Sequence, residues 1–257
     1  MRNCVICAGL AIAATVGSTV QADIYHRETI PNFRAVSIAY DALVCGIWVA
    51  NESNEVILLS TFGKELRRFD TSMRMVRSLT VEEDGILIAN GWGEFRRLDR
   101  EGRPIDAPFR LSDTLYDTEG LHRDADGSFL VVEDDPSRLM RIAPDGGVIM
   151  ELFGDSFDPP MTEPQGVTRD PYSGNILVVD DNEGLNSLFE LAPDGRVLSV
   201  SPLSEFGRDA EGVALQPETG TLYVGFDSGN ALAIFDWIPT EITIDKPLDR
   251  GPDCAYS

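Results

Sequence analysis

Short apolar runs separated by polar turns recur along most of the chain, and the clearest copy of this pattern lies at residues 209–236. There the sequence DAEGVALQPETGTLYVGFDSGNALAIFD contains three runs, at 211–215, 222–224 and 231–235, joined by turns rich in glycine and polar residues. Runs of this length and composition predict β-strands. Because three short strands cannot bury both faces of their own sheet, the pattern predicts further copies that pack against this one.

Five copies of the pattern align on the apolar residue that begins the first run. These anchor residues are Val36, Leu79, Leu121, Val167 and Val213, with spacings of 43, 42, 46 and 46 residues. The second run reads GIWVANE (46–52), GILIANG (85–91), SFLVVEDD (128–135), NILVVDDN (175–182) and TLYVGFDS (221–228). A hairpin follows, and its turn is Ala-Pro-Asp-Gly at both 143–146 and 192–195, a sequence that suits a tight turn.

Four strands in about 40–45 residues are typical of a β-propeller blade. We therefore predict an all-β, five-bladed β-propeller of four-stranded antiparallel blades, in a single domain over 23–257. The predicted blades are about 32–71, 72–111, 115–154, 162–207 and 208–248. One of the flanking segments, 23–30 or 237–245, should supply the outer strand of the last blade. If both paired separately, a degenerate sixth blade would form.

The first 22 residues predict a secretory signal peptide. Arg2 precedes an apolar stretch at 4–16, and Val20-Gln21-Ala22 fits the cleavage pattern of small residues,. We expect cleavage near Ala22 and an exported protein, periplasmic or extracellular. An uncleaved anchor is the alternative, although this apolar stretch is shorter than the ~20 residues that span a bilayer.

Two cysteines remain after that segment, Cys45 and Cys254. In an exported protein an even pair predicts a disulfide bond. The bond would close a loop of about 200 residues, which stabilises the fold by roughly 4–5 kcal/mol in the chain-entropy model. Two free or buried thiols are the alternative.

The charge of the chain is strongly negative, with 21 basic and 43 acidic residues and a net charge of −22. Such a surface repels nucleic acid and anionic membranes and attracts cations and basic partners. We expect a monomer whose partner is a small molecule or a protein, with no nucleic acid and no membrane span.

The repeat resembles the blades of known propeller families. Glu-Gly or Gln-Gly precedes the anchor, Leu-x-Val-x-Asp closes the second strand, and Pro-Asp-Gly turns the hairpin. This pattern is similar to NHL-repeat propellers, to SdiA-regulated-domain proteins and to the wider gluconolactonase/regucalcin-like superfamily. It covers residues 115–236 well and the first two copies weakly. The resemblance implies the fold, whereas the function stays open because this architecture hosts binders, scaffolds and hydrolases.

Two sets of residues should meet at one mouth of the central channel, because the innermost strand starts where the second strand of its blade finishes. The first set lies two residues before the anchors and comprises Arg34, Arg77, Glu119, Gln165 and Glu211. The second set comprises Asn51-Glu52, Asn90-Gly91, Glu133-Asp134-Asp135, Asp180-Asp181-Asn182 and Asp227. Blades 3 to 5 are thus expected to supply oxygen ligands, opposite arginines and asparagines from blades 1 and 2.

Oxygen ligands without histidine or thiol suit Ca²⁺, which takes about 6–8 oxygens. The candidate metal ligands are Glu119, Gln165, Glu211, Asp134, Asp181 and Asp227. In gluconolactonase-like propellers the metal ligands include acidic or amide residues just before such a glycine, so the resemblance implies this role for the first three. Arg34 and Arg77 depart from that pattern and could instead pair with Glu119 or Glu211.

Other interpretations of the same residues stay open. The Glu-Gly pairs could serve blade packing alone, with the acid bonded to the neighbouring backbone and the glycine allowing close approach. A ligand site is the other interpretation, and its candidates are Arg34, Arg77, Asn51, Asn90 and Trp92. In that site the indole of Trp92 would stack on the ligand.

We predict from these features an exported binding module that holds calcium at the channel mouth. One alternative is a metal-dependent lactonase or esterase, in which the cation activates water and His122 acts as general base. The other alternative is a protein-interaction scaffold. Because Arg34 and Arg77 stand where a complete catalytic ring would need oxygens, the sequence favours the binding module, with His122 a structural residue.

Overall fold

A computed structural model describes residues 23–181, 183–248 and 254 of the chain. These residues form antiparallel sheets arranged as the five blades of a β-propeller, which confirms the predicted fold class. The predicted signal peptide lies outside the described residues. Among the described residues, no helix is long and apolar enough to cross a membrane.

The strands follow one another from the channel outwards in each blade. Blade 1 contains β2 (Ser37–Asp41), β3 (Gly46–Ala50), β4 (Glu55–Ser60) and β5 (Glu65–Asp70), and blade 2 contains β6 (Ser78–Glu82), β7 (Gly85–Ala89) and β8 (Phe95–Asp99). Blade 3 contains β9 (Thr118–Arg123), β10 (Phe129–Asp134), β11 (Ser137–Ile142) and β12 (Val148–Phe153). Blade 4 contains β13 (Pro164–Arg169), β14 (Ile176–Asp180), β15 (Ser187–Leu191) and β16 (Val197–Pro202). Blade 5 contains β17 (Ala210–Gln216), β18 (Thr221–Phe226), β19 (Ala231–Ile238) and β1 (Asp23–Pro31).

The ring is closed by the N-terminal strand. β1 pairs antiparallel with β19, from Asp23 opposite Ile238 to Pro31 opposite Ala231. The prediction that a flanking segment supplies the outer strand of the last blade is therefore confirmed, and the segment is the N-terminal one. This pairing covers the edge of blade 5 and joins the two ends of the repeat.

Blade 2 departs from the four-stranded pattern. Its outer position is occupied by two isolated bridges, Leu98 with Pro104 and Phe95 with Phe109. Proline has no N–H to give to a ladder, so Pro104 and the neighbouring Pro108 prevent a regular outer strand here. The hairpin that follows β8 is thus formed, but its second arm is reduced to bridges.

The hydrophobic core lies between the blades. The second strands β3, β7 and β18 are buried at every position, because each blade is covered on both faces by its neighbours,. The outer strand β5 is mostly exposed. This contrast explains why the second run of each copy is the most apolar in the sequence.

The predicted disulfide bond is confirmed. Cys45, in the turn between β2 and β3, is bonded to Cys254, with their Cα atoms 5.5 Å apart and 209 residues apart in sequence. The bond attaches Cys254 to blade 1.

We expect loss of this bond to destabilise the ring substantially. Cys45→Ser and Cys254→Ser should each lower the free energy of unfolding by up to roughly 5 kcal/mol, because a very long loop is released in the unfolded state. Urea denaturation with and without reductant measures the effect. The double variant should match either single variant, and an unchanged urea midpoint in all three would contradict the expectation.

Candidate acidic channel site

Three of the innermost strands carry a β-bulge at the residue that precedes the glycine. In blade 3, Thr118 lies opposite Glu133 and Gly120 opposite Val132, so Glu119 is the extra residue. The pairing of blade 5 passes over Glu211 in the same way, and that of blade 4 is irregular across Gln165. The corresponding strands of blades 1 and 2 pair without a shift. A bulge changes the direction of the side chain at the extra residue. Glu119, Gln165 and Glu211 all lie at such irregular positions.

The glycines that follow these residues are required by the close approach of neighbouring blades. A Cβ atom added to Gly120 would lie 2.3 Å from the carbonyl oxygen of Gln165, and one added to Gly166 would lie 2.5 Å from that of Glu211. The packing role predicted for the glycine is therefore confirmed. The other half of that interpretation is wrong, because among the described residues neither Glu119, Gln165 nor Glu211 bonds to the neighbouring backbone through its side chain.

The side chains meet in a cavity of about 290 Å³ at this mouth of the channel. The described residues that border it are Arg34, Val36, Glu52, Arg77, Glu119, Asp134, Glu163, Gln165, Asp181, Glu183, Glu211 and Asp227. All six candidate metal ligands are thus brought to one cavity, together with Arg34 and Arg77. Eight carboxyl groups face two guanidinium groups among these residues, so the cavity is strongly acidic.

The two polar residues at the end of a second strand have different roles. The first residue holds the adjoining loop: Glu133 accepts the backbone N–H groups of Tyr116 and Asp117, and Asp180 accepts those of Thr162, Glu163 and Leu185. The second residue borders the cavity, as Asp134, Asp181 and Asp227 do.

Asn51 and Asn90 occupy the loop-holding position, so they do not border the cavity. Asn51 accepts the hydroxyl of Ser53, and Asn90 accepts the backbone N–H groups of Trp92 and Glu94. Trp92 itself is 54% exposed and lies outside the cavity lining. Of the ligand-site residues expected from the sequence, only Arg34 and Arg77 reach the cavity.

Both arginines are held by carboxylates, and Glu52 joins them. Arg34 donates to Asp227, with Nη2 2.9 Å from Oδ2, and to Glu52. Arg77 donates to Glu119 and lies 3.3 Å from Glu52. An unbroken chain of ion pairs therefore runs from blade 5 through blades 1 and 2 to blade 3. The sequence places Glu52 at this mouth but favours its neighbour Asn51 as the ligand-site candidate.

The other side of the cavity carries carboxylates that have no such arginine partners. One group without an arginine partner has oxygens within 4.8 Å of one another and comprises Asp181, Asp209 and Glu211. In a second group of equally close oxygens, Asp117 and Asp134 lie beside Glu119, which is the acid that Arg77 holds. Asp117, Glu163 and Asp209 were not predicted as site residues, yet each stands two residues before Glu119, Gln165 or Glu211. The recurrence of an acidic residue at this spacing in the same three copies is the feature of the sequence that could have identified them.

Two polar groups in this region lack partners within the described part of the chain. The side chain of Gln165 is in a residue only 7% exposed, borders the cavity and makes no hydrogen bond there. Oδ1 of Asp134 is buried and likewise without a partner. Buried polar groups are nearly always satisfied in proteins. The Asp134 oxygen lies beside Asp117, whose pKa is raised by burial and by Asp134, so either a shared proton or a bound cation would satisfy it.

Three of the crowded carboxyl groups have raised pKa values. Burial, aided by Asp134 and Asp117 and opposed by Arg77, raises the pKa of Glu119 to about 8. Burial and the neighbouring carboxylates, Glu119 first, raise the pKa of Glu211 to about 8. The pKa of Glu163 is raised to about 7 by burial and by Asp181. A bound cation would therefore displace protons from this cavity.

His122 lies at the other mouth of the channel. It stands near the end of β9, whereas Glu119 stands near its beginning, and its imidazole borders a second cavity. No described residue borders both cavities. The arrangement expected for a lactonase or esterase, with His122 as general base beside the metal ligands, is not formed.

The fold resembles solved β-propellers. The chain matches the crystal structure of glutaminyl cyclase from Myxococcus xanthus with a TM-score of 0.66 and 12% identity, over 86% of this chain and 100% of that one. A Bacteroides caccae protein of unknown function matches with a TM-score of 0.51 and 13% identity, over 85% and 82% of the two chains. Streptogramin B lyase matches with a TM-score of 0.50 and 15% identity, over 87% and 74%. These identities show a common fold alone, and comparisons with protein families and curated proteins found no match.

We expect the cation-free protein to lose stability as the pH rises from about 5 to about 8.5. The pKa values of Glu119 and Glu211 are about 8 in the folded protein against 4.5 ordinarily. The folded state therefore binds more protons than the unfolded state between these values, and the free energy of unfolding must fall across the interval. Urea denaturation in EDTA over this pH range measures the slope.

Glu211→Gln should flatten this pH dependence, because it removes one of the two carboxyl groups. The exposed Glu205, which lies outside the cavity lining, offers a matched control, and Glu205→Gln should keep the wild-type slope. Equal slopes in the two variants would contradict the assignment of the titration to the cavity.

Proposed function

We propose that this protein is an exported β-propeller that binds Ca²⁺ at the acidic mouth of its channel. Its repeat is similar to those of NHL-repeat and SdiA-regulated-domain proteins. The observation that carries the proposal is the convergence of oxygen ligands from three blades on one cavity, where Gln165 and Oδ1 of Asp134 have no partner among the described residues. The disulfide bond between Cys45 and Cys254 supports export,.

The donor set favours a hard cation. Carboxyl groups and the amide of Gln165 are the ligating groups on the unpaired side, and no histidine or cysteine is present in the described lining. Oxygen donors in this number match the coordination of Ca²⁺, which takes about 6–8 of them in flexible geometry. Zinc and copper sites would instead use imidazole or thiolate.

The ligands fall on one side of the mouth. Glu211, Asp181 and Asp209 on blades 4 and 5 form the group that none of the described arginines contacts, and Gln165 of blade 4 borders the same cavity. Asp227 is held by Arg34 and Glu119 by Arg77. The cation is therefore expected nearer to Glu211 and Asp181 than to Asp227.

We expect Ca²⁺ to raise the melting temperature of the EDTA-treated protein, because a ligand of the native state stabilises it. The rise should be greater at about pH 8.5 than at about pH 6, since proton loss from Glu119 and Glu211 frees the ligands. Thermal denaturation against Ca²⁺ concentration measures both effects.

Glu211→Gln should weaken Ca²⁺ binding by about tenfold or more, because it removes a charged ligand. The control Glu205→Gln should bind like the wild type. The proposal fails if saturating Ca²⁺ leaves the melting temperature of the wild type unchanged, or if the two variants bind alike.

We further expect Arg77→Gln to bind Ca²⁺ several-fold more tightly than the wild type. The guanidinium of Arg77 neutralises Glu119 and repels a cation from the cavity,. Calorimetric titration of the EDTA-treated variant measures the change. Arg67, an exposed arginine paired with Glu101 away from the cavity, gives the control Arg67→Gln. Weaker binding by Arg77→Gln would show that this arginine positions the ligands instead of competing with the cation.

A further inference from the structure

The second mouth of the channel contains a larger cavity, of about 550 Å³. All five blades border it through the ends of their innermost strands and the turns that follow. Its apolar lining includes Ile38, Leu121, Val167 and Leu215. This volume lies within the range of about 300–1,000 Å³ that is usual for small-molecule sites, which combine apolar walls with a few polar groups.

Most charged groups of this cavity are held in ion pairs. Arg100 binds Asp41 through two nitrogens, at 2.8 and 3.2 Å. Arg169 donates to Asp124 at 2.8 Å. The lining contains four carboxyl groups and three guanidinium groups, against eight and two at the acidic mouth, so its charges are nearly balanced.

These ion pairs also fix the walls. Asp41 accepts the indole N–H of Trp48 at 2.9 Å and the backbone N–H of Leu43 at 3.0 Å in addition to Arg100. Asp41 and Asp124 are 1% and 4% exposed. A buried carboxylate with several donors holds its position firmly, so the cavity is formed before any ligand arrives.

His122 is the polar group of the cavity that retains hydrogen-bonding capacity. Its Nδ1 lies 3.5 Å from the hydroxyl of Thr168 and its Nε2 lies 3.8 Å from Asp124, both longer than an ordinary hydrogen bond,. The side chain remains 25% exposed. Burial, together with Arg169 and against Asp124, lowers its pKa, so the imidazole is neutral at pH 7 and can donate and accept.

Thr80 adds a second polar group on the neighbouring blade. Its hydroxyl accepts the backbone N–H of Arg123 at 2.9 Å and donates to none of the described residues. Because blades 2 and 3 are adjacent, the two groups border the same side of the cavity.

We propose that the second mouth is a binding site for an uncharged small organic molecule, which packs its apolar part against Leu121 and Val167 and exchanges a hydrogen bond with His122. Because most of the charged groups are already paired within the protein, the ligand needs no charge of its own. The apolar residues of the lining bury the apolar surface of the ligand. The site is independent of the acidic mouth, because no described residue borders both cavities.

The neutral fluorophore N-phenylnaphthylamine is a suitable probe, since it has two apolar ring systems and one N–H group. Fluorescence titration of the full-length mature protein should show saturable binding to one site per chain. EDTA and Ca²⁺ should leave this binding unchanged. His122→Phe, which keeps a ring of similar size, should weaken binding about two- to tenfold by removing one hydrogen bond.

Ala125 provides a blocking variant that spares the core. It is exposed and borders the cavity, so Ala125→Trp should reduce the affinity for the probe by about tenfold or more by filling the site,. Ala107 is exposed and borders neither cavity, and Ala107→Trp should bind like the wild type. The proposal is overturned if the wild type shows no saturable binding, if both tryptophan variants bind alike, or if Ca²⁺ displaces the probe.

Discussion

The close approach of the innermost strands around the channel is the constraint on which the rest of the structure depends. Gly120 and Gly166 each stand where a Cβ atom would overlap a backbone carbonyl of the next blade. In blades 3 to 5 this approach is accompanied by a bulge, which takes the residue before the glycine out of the regular ladder. Packing at the axis therefore directs Glu119, Gln165 and Glu211 into the channel.

Crowding of carboxyl groups is the electrostatic consequence of that geometry. Each of the three blades contributes an acid or amide at its bulge, and a further acid at the end of its second strand. Blades 1 and 2 supply Arg34 and Arg77, which satisfy Glu52, Asp227 and Glu119 on one side of the mouth. On the other side, burial and neighbouring carboxylates raise the pKa of Glu211 to about 8 and that of Glu163 to about 7. The arginines thus neutralise the carboxylates on one side of the acidic mouth. The carboxyl groups on the other side bind protons or a cation.

The sequence predicts the parts of this arrangement that follow from repetition. Anchors spaced about 40–45 residues apart imply blades, and residues at equal offsets from the anchors must lie at equal heights in the ring. The six candidate ligands reach one cavity for this reason. The disulfide bond was predictable because Cys45 and Cys254 were the two cysteines remaining after the predicted signal peptide.

Features that depend on the direction of individual side chains were not predictable from repetition. Asn51 and Glu52 are adjacent, and only the structure shows that the first holds a loop while the second faces the arginines. His122 follows Glu119 by three residues, which is about 10 Å along a strand. Over this distance β9 runs from the acidic mouth, where Glu119 lies, to the second mouth, where His122 lies. One short strand therefore supplies an acid to a strongly acidic cavity and an imidazole to a cavity whose charges are nearly balanced. The two mouths are chemically different because β9 crosses the ring between them.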